Sequence, residues 1–310
     1  MRKLEGTVYH AARGWLPQLL EELGERDRLD GELVTVLGPR RRARWVRNTW
    51  LEPFLLDFES VGEAARLLKD IQRNWAPCPT RLHRRTALVA ERLPSLPSKP
   101  KRFPFEVPDV PMGAFTLLDE HRLLGSARCS SPFPNGQFDF EEDREGPPSR
   151  AYRKLWEALA LAGTRPAPGE RCLDAGASPG GWTWALAELG AEVLAVDRAA
   201  LEPRIAAMPG VSAMRHDAFT LKPEDVGPVD WLFSDVICYP PALYAWVEKW
   251  LESGLARNFV CTIKMQGAGF DRASTDLFEA IPGSRVLHLW HNRHELTWIK
   301  VEGDRGLGSP

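Results

Sequence analysis

From Arg150 onward the apolar positions switch repeatedly between two spacings. Short apolar runs at 171–175 (RCLDA), 192–197 (EVLAVD), 211–215, 230–235 and 258–264 read as strands. Helical spacing fills the intervals at 151–161, 181–189, 201–208, 242–252 and 272–281. Two last strands, 285–290 and 295–301, close the region as a hairpin around 291–294. Strands separated by helices predict a doubly wound parallel sheet, here of seven strands with one antiparallel. A ligand is expected at their carboxyl ends. The N-terminal region predicts a smaller α/β unit. It has strands at 7–10 and 32–37, a helix at 15–23 ending at Gly24, and a second helix at 61–73. Residues 94–111 hold six prolines and read as an extended connector. A hairpin follows, with apolar runs at 114–118 and 123–127 around the polar 119–122. The expected organisation is a small domain at 1–93, a connector with hairpin at 94–148, a large α/β domain at 149–301 and a frayed tail at 302–310.

Composition narrows the class. Of 310 residues, 44% are hydrophobic and 26% charged, which is enough apolar mass for a sizeable core. No run approaches the roughly 18 consecutive apolar residues of a membrane span. Charge and glycine interrupt MRKLEGTVYHAARGW too early for a signal-peptide apolar region, so a cytoplasmic protein is expected. The five cysteines form no CxxC pair, and reduced, mostly buried thiols follow. Net charge is −2, but it is unevenly spread. Residues 1–110 carry 20 Lys and Arg against 15 Asp and Glu; residues 111–310 carry 20 against 27. Within 39–102 the balance is 15 against 6, so one basic face is possible on a near-neutral chain.

The segment 171–182, RCLDAGASPGGW, is a strand, a glycine loop and a helix start. Gly176, Gly180 and Gly181 permit a tight turn and close backbone approach. A dinucleotide fingerprint needs G-x-G-x-x-G, but Ser178 replaces the middle glycine and Pro179 stiffens the turn. A Walker loop needs a Lys that is absent. Asp174 near the strand end would repel a pyrophosphate and suits a cationic ligand with an amino group, such as S-adenosylmethionine. Asp197 ends the next strand, placed to accept from both ribose hydroxyls. Asp217 follows the third strand and could accept from an adenine amino group. The competing reading is three turn or helix-capping aspartates.

Four charged residues stand out by position: Lys154 on the helix before the first strand, Asp235 and Lys264 at strand ends, and Glu295 opening the last strand. With SRAYRKL, LDAGASPGGWTWAL, FSDV, IKMQGAGFD and HNRHELTW in order over 149–301, the chain resembles the FtsJ-like ribose 2′-O-methyltransferases. The resemblance implies a Rossmann-like seven-stranded methyltransferase sheet and S-adenosylmethionine as cofactor. It also implies an RNA substrate, ribosomal RNA. Asp174, Gly176, Ser178, Pro179, Gly180, Gly181, Trp182, Asp197, Asp217 and Asp235 would form the cofactor site. Lys154, Asp235, Lys264 and Glu295 would be the catalytic set. Lys264 would be the general base, Asp235 would lie nearest the transferred methyl, and Glu295 would anchor the lysines. A free Lys titrates near about 10.4, so burial and Lys154 must push the base down while the carboxylates oppose them. The sulfonium is already a good leaving group, so no metal is expected. His216, His288, His291 and His294 show no ligand spacing. After Asp235 the segment VICYPP departs from the shorter members of the family.

Residues 40–50, RRRARWVRNTW, carry Arg40, Arg41, Arg42, Arg44 and Arg47 with Trp45 and Trp50 among them. Arginines suit phosphate contacts and indoles suit stacking on unpaired bases. A basic RNA-binding domain at 1–93, a reduced THUMP-like unit, is the expectation; buried tryptophans on a solvated strand edge are the alternative. Two rival functions remain open at this point. One is a non-catalytic RNA-binding or ribosome-assembly protein that kept the fold. The other is a Rossmann oxidoreductase, which the altered glycine pattern disfavours.

Overall fold

The computed structural model describes residues 1–96, 99–267 and 269–306. Pro97 of the connector and positions 307–310 of the tail lie outside the described residues. The chain forms two compact units, one built from 1–100 and 107–139 and the other from 101–106 and 140–306.

The first unit contains two sheets. Arg28–Asp30, Leu33–Leu37, Gly6–Ala11 and Val46–Trp50 make one, in that order. Arg2–Lys3, Pro53–Asp57, Arg122–Ser126, Gly113–Leu117 and Trp75–Pro77 make the other. Helices Val61–Ile71 and His83–Ala90 bring Leu68 and Val89 to a core with Phe54, Trp75 and Phe115. Ser60 caps the first of them, its side chain accepting from the Glu63 amide. The hairpin is therefore not part of a connector, as its sequence position suggested. Its strands pair on one side with Pro53–Asp57 and on the other with Trp75–Pro77, and this two-sided ladder binds it into the first unit. Strands Val46–Trp50, Pro53–Asp57 and Trp75–Pro77 have no counterpart in the sequence reading. They are short, and two carry proline. Val46–Trp50 buries Asn48 and Thr49 where an apolar alternation would have marked it.

The second unit opens with helix α1 (Tyr152–Ala162). Its strands are β1 (Arg171–Ala175), β2 (Glu192–Asp197), β3 (Val211–Arg215), β4 (Val229–Ser234), β5 (Ala256–Lys264), β6 (Arg285–Leu287) and β7 (Glu295–Lys300). They lie in the order β3-β2-β1-β4-β5-β7-β6. Only β7 is antiparallel to its neighbours, because it returns between β5 and β6. Between the strands run α2 (Gly181–Glu188), α3 (Pro203–Ala206), α4 (Pro223–Val226), α5 (Pro240–Ser253) and α6 (Arg272–Ala280). Helix α5 starts two residues before the predicted 242. Pro240 and Pro241 fill its first turn, where amides have no helical partner to lose. The central strands read as nearly continuous apolar runs because they are buried on both faces. The described end of the tail is not frayed. Arg285 grips Asp304 with two hydrogen bonds of 2.7 and 2.9 Å, and the Arg305 amide donates to Ala162 O.

All five cysteines are free. Among the described residues, no helix is long and apolar enough to cross a membrane.

Candidate active site

Strand order reverses between β1 and β4, and the crevice at this switch point is where an open α/β sheet binds ligands. The glycine loop leaves β1 there and Asp235 leaves β4, its amide donating to Ala175 O at 3.3 Å. Gly176 has φ +82°, and a Cβ on it would run into Val236. The loop therefore seats against the β4 turn only because that atom is missing. Gly180 has φ +117° and caps α2, where a Cβ would strike Ile205.

A cavity of about 680 Å³ opens at this edge, within the usual range for small-ligand sites. Gly176, Ser178, Pro179, Gly181, Trp182 and Asp197 line it. Asp217, Asp235 and Lys264 do so as well. Asp174 and Gly180 are off the wall, in contrast to their expected contact with a ligand. Asp174 lies beneath the loop, 1% exposed, and accepts from Thr183 Oγ1 at 2.6 Å. Burial raises its carboxyl to about 7, with the charges of Asp235 and Asp197 adding to the rise. Its other oxygen, Oδ1, has no hydrogen-bond partner among the described residues. Asp197 accepts from the amides of Ser178 (3.0 Å) and Ala199 (2.8 Å), which ties the end of β2 to the loop. Asp217 caps the next turn through the Phe219 amide and pairs with Arg198, which holds its carboxyl below the ordinary range. The capping alternative thus describes part of what these aspartates do. Asp197 and Asp217 nevertheless line the cavity, and Asp174 does not.

The four singled-out charges converge. Lys154 Nζ lies 2.9 Å from Asp235 Oδ1 and 2.7 Å from Glu295 Oε1. Lys264 Nζ lies 3.1 Å from the same Asp235 oxygen. Lys264 and Glu295 are direct cross-strand partners in the β5–β7 ladder. Glu295 nevertheless pairs with Lys154 rather than with both lysines as expected. Lys154 is 6% exposed. Burial pushes its ammonium down, but the two carboxylates more than offset this and hold it above the ordinary lysine value. Burial likewise pushes Asp235 up, and Lys154 with Lys264 overcomes that and keeps it low. Lys154 is thus a fixed cation between two anions, whereas Lys264 touches one carboxylate and faces the cavity.

Several wall residues carried no sequence signal of their own. Arg198 and Phe219 immediately follow or nearly follow the acidic strand ends, and that adjacency would have found them. Val236, Ile237 and Cys238 follow Asp235 in the same way. Helix α1 supplies one further contribution. Glu157, 2% exposed, accepts from the amides of Trp290 (2.7 Å) and His291 (3.1 Å), and from His291 Nδ1 at 2.7 Å.

The arginine strip in the first unit divides. Trp45 and Trp50 are fully buried, so neither offers the stacking face expected of it. Arg44 is buried too, its guanidinium 3.2 Å from Glu22. Arg47 donates to His10 at 3.0 Å and pairs with Glu32 at 2.7 Å. Arg41 is exposed but caps the carbonyls of Leu23 and Glu25 at 2.6 Å. Arg40 and Arg42 are exposed.

Residues 147–256 match the model of the FtsJ-like methyltransferase family. That stretch is similar to an FtsJ-like methyltransferase domain. Lys264 and Glu295 lie beyond the matched stretch of that domain. Over 157 residues the chain is 38% identical to the ribosomal RNA large subunit methyltransferase M of Halorhodospira halophila, covering 48% of this chain and 46% of that protein. The protein of the same name from Methylococcus capsulatus is 29% identical, covering 95% of this chain and 80% of its own length. The crystal structure of TrmN from Thermus thermophilus aligns with a TM-score of 0.39 and 15% identity, over 96% of this chain and 99% of that one. The chain spans about half the length of the first curated relatives it matches.

Proposed function

We propose that the chain is an S-adenosylmethionine-dependent RNA methyltransferase that modifies a ribose 2′-hydroxyl, with ribosomal RNA as the substrate class. One observation carries this reading: Asp235 joins Lys154 and Lys264 at the mouth of a glycine-loop cavity whose wall carries carboxylates at successive strand ends. The similarity to the FtsJ-like family and the relatives' description as ribosomal RNA large subunit methyltransferases support it.

The residues fit this cofactor. Asp197 and Asp217 offer carboxylates for hydroxyl and amino groups, and Gly176 and Gly181, packed against Val236 and Ser149 with no room for a Cβ, line the cavity with backbone. When bound, S-adenosylmethionine supplies a methyl group on a sulfonium centre with a neutral thioether as leaving group. The chain's own task is to align a ribose oxygen and remove its proton. Lys264 Nζ, once it carries a free lone pair, accepts the 2′-hydroxyl proton as the oxygen bonds to carbon. Asp235 holds that Nζ in place and stabilises the ammonium that forms. Lys154 keeps Asp235 ionised, and Glu295 balances the charge of Lys154. With Lys264 protonated, the four groups sum to zero charge, which favours the proton's arrival.

The test is transfer from labelled S-adenosylmethionine to ribosomal RNA taken from cells lacking this protein, followed by digestion to nucleosides. Label in a 2′-O-methylnucleoside is expected. Label on a base, or no transfer alongside measurable cofactor binding, contradicts the reading.

A further inference from the structure

The segment between β4 and α5 has a feature that the proposed chemistry leaves unused. Ile237 is 80% exposed and Tyr239 is 70% exposed. They are the two most exposed large apolar side chains among the described residues of the second unit. Both lie within four positions of Asp235, and Ile237 lies on the cavity wall. The exposure does not come from a slack backbone. The Asp235 amide is held by Ala175 O, Gln266 Nε2 donates to Cys238 O at 3.2 Å, and Tyr239 O accepts from the Ala242 and Leu243 amides. Val236 and Cys238 are half-buried while Ile237 and Tyr239 are exposed, so the two exposed side chains alternate with partly covered ones.

We propose that Ile237 and Tyr239 hold the base of the target nucleotide beside the cavity, the Tyr239 ring stacking on it and the Ile237 side chain packing against it. The proposal rests on the function inferred above. A ribose hydroxyl brought to Lys264 sets its base beside the segment that follows Asp235, whose Ile237 shares the cavity wall with Lys264. A splayed-out base from an unpaired strand has two apolar faces to bury, and stacking of this kind tolerates any base. The VICYPP segment, a departure from the shorter family members, thereby becomes a substrate contact.

The experiment is steady-state methyl transfer to ribosomal RNA from cells lacking the protein, with cofactor affinity measured in parallel. Tyr239→Ala and Ile237→Ser are expected to lower kcat/KM for RNA, Tyr239→Ala by about 5- to 150-fold. Cofactor affinity should stay within about twofold, and Tyr239→Phe should keep near wild-type kcat/KM because the ring remains. Unchanged kcat/KM in both small-residue variants overturns the proposal. So does a Tyr239→Phe defect as large as that of Tyr239→Ala, which would mean a hydroxyl contact, or a parallel loss of cofactor affinity, which would mean a cofactor contact. Failure of the unsubstituted chain to transfer methyl to this RNA overturns the functional reading and this proposal with it, and is told apart because no substitution is involved.

Discussion

At the level of single residues, Asp235 carries the site, because one of its oxygens receives both lysines. The lysines are thereby unequal. Lys154 has a carboxylate on each side, and Lys264 has one neighbour and open cavity. Asp174 makes a separate contribution through charge. Its folded pKa of about 7 lies above the unfolded carboxylate value, so the stability it contributes is present at low pH and lost as pH rises through 7. A cationic ligand near Asp197 and Asp235 favours the ionised form. Calorimetry in buffers of different ionisation enthalpy should therefore show proton release on S-adenosylmethionine binding near pH 7. Affinity should rise from pH 6 to 8 by up to about tenfold for each pKa unit the ligand removes from Asp174. Asp174→Asn should flatten that rise, and an equally steep profile in the variant would refute the assignment. The residues at strand ends were legible in the sequence, since a strand pattern fixes where its last side chain stands. Which lysine pairs with which carboxylate was not, because it depends on how α1 meets the sheet.

At the level of elements, α1 does two jobs from one face. Lys154 and Glu157 are three positions apart, the spacing that stacks side chains along a helix. Lys154 meets the two carboxylates while Glu157 binds the turn that leads into Glu295. Glu157→Ala leaves the part-buried Trp290 and His291 amides without their acceptor, so it should lower stability by roughly 1 kcal/mol per group and reduce turnover in the folded protein. Thermal unfolding and kcat measured on the same sample check this; a stability loss with kcat intact would limit Glu157 to the fold. In the first unit, Arg44 belongs to the packing. Arg44→Ala takes a countercharge from the buried Glu22 carboxylate, which keeps its bonds from the residue 44 and Trp45 amides, and should cost about 3–5 kcal/mol by denaturant unfolding. A change below about 1 kcal/mol would mean the pair is not held as described. Most strands and helices of the second unit were legible because they have a sustained period; the four-residue α4 was not, being too short for one. Those of the first were legible only in part: Val46–Trp50 hides its strand behind buried polar residues, and its neighbouring arginines resemble a surface strip until Glu22, Glu32 and His10 are seen against them.

At the level of the whole molecule, the sheet order gathers distant sequence into one place. Asp235 is 81 positions from Lys154, yet their hydrogen bond is 2.9 Å. Net charge of −2 likewise conceals a basic N-terminal third and an acidic remainder. Charge counts pointed to the basic third, but they could not separate the exposed Arg40 and Arg42 from Arg44, which is buried against Glu22. The central claim, that Lys264 takes the ribose proton at a site distinct from cofactor binding, is tested most directly by Lys264→Ala. Its kcat and its S-adenosylmethionine affinity should be measured on ribosomal RNA from cells lacking the protein. Turnover is expected to fall by roughly 10²–10⁴-fold, the contribution of a positioned base, with affinity within about twofold of wild type. Turnover close to wild type would contradict the account.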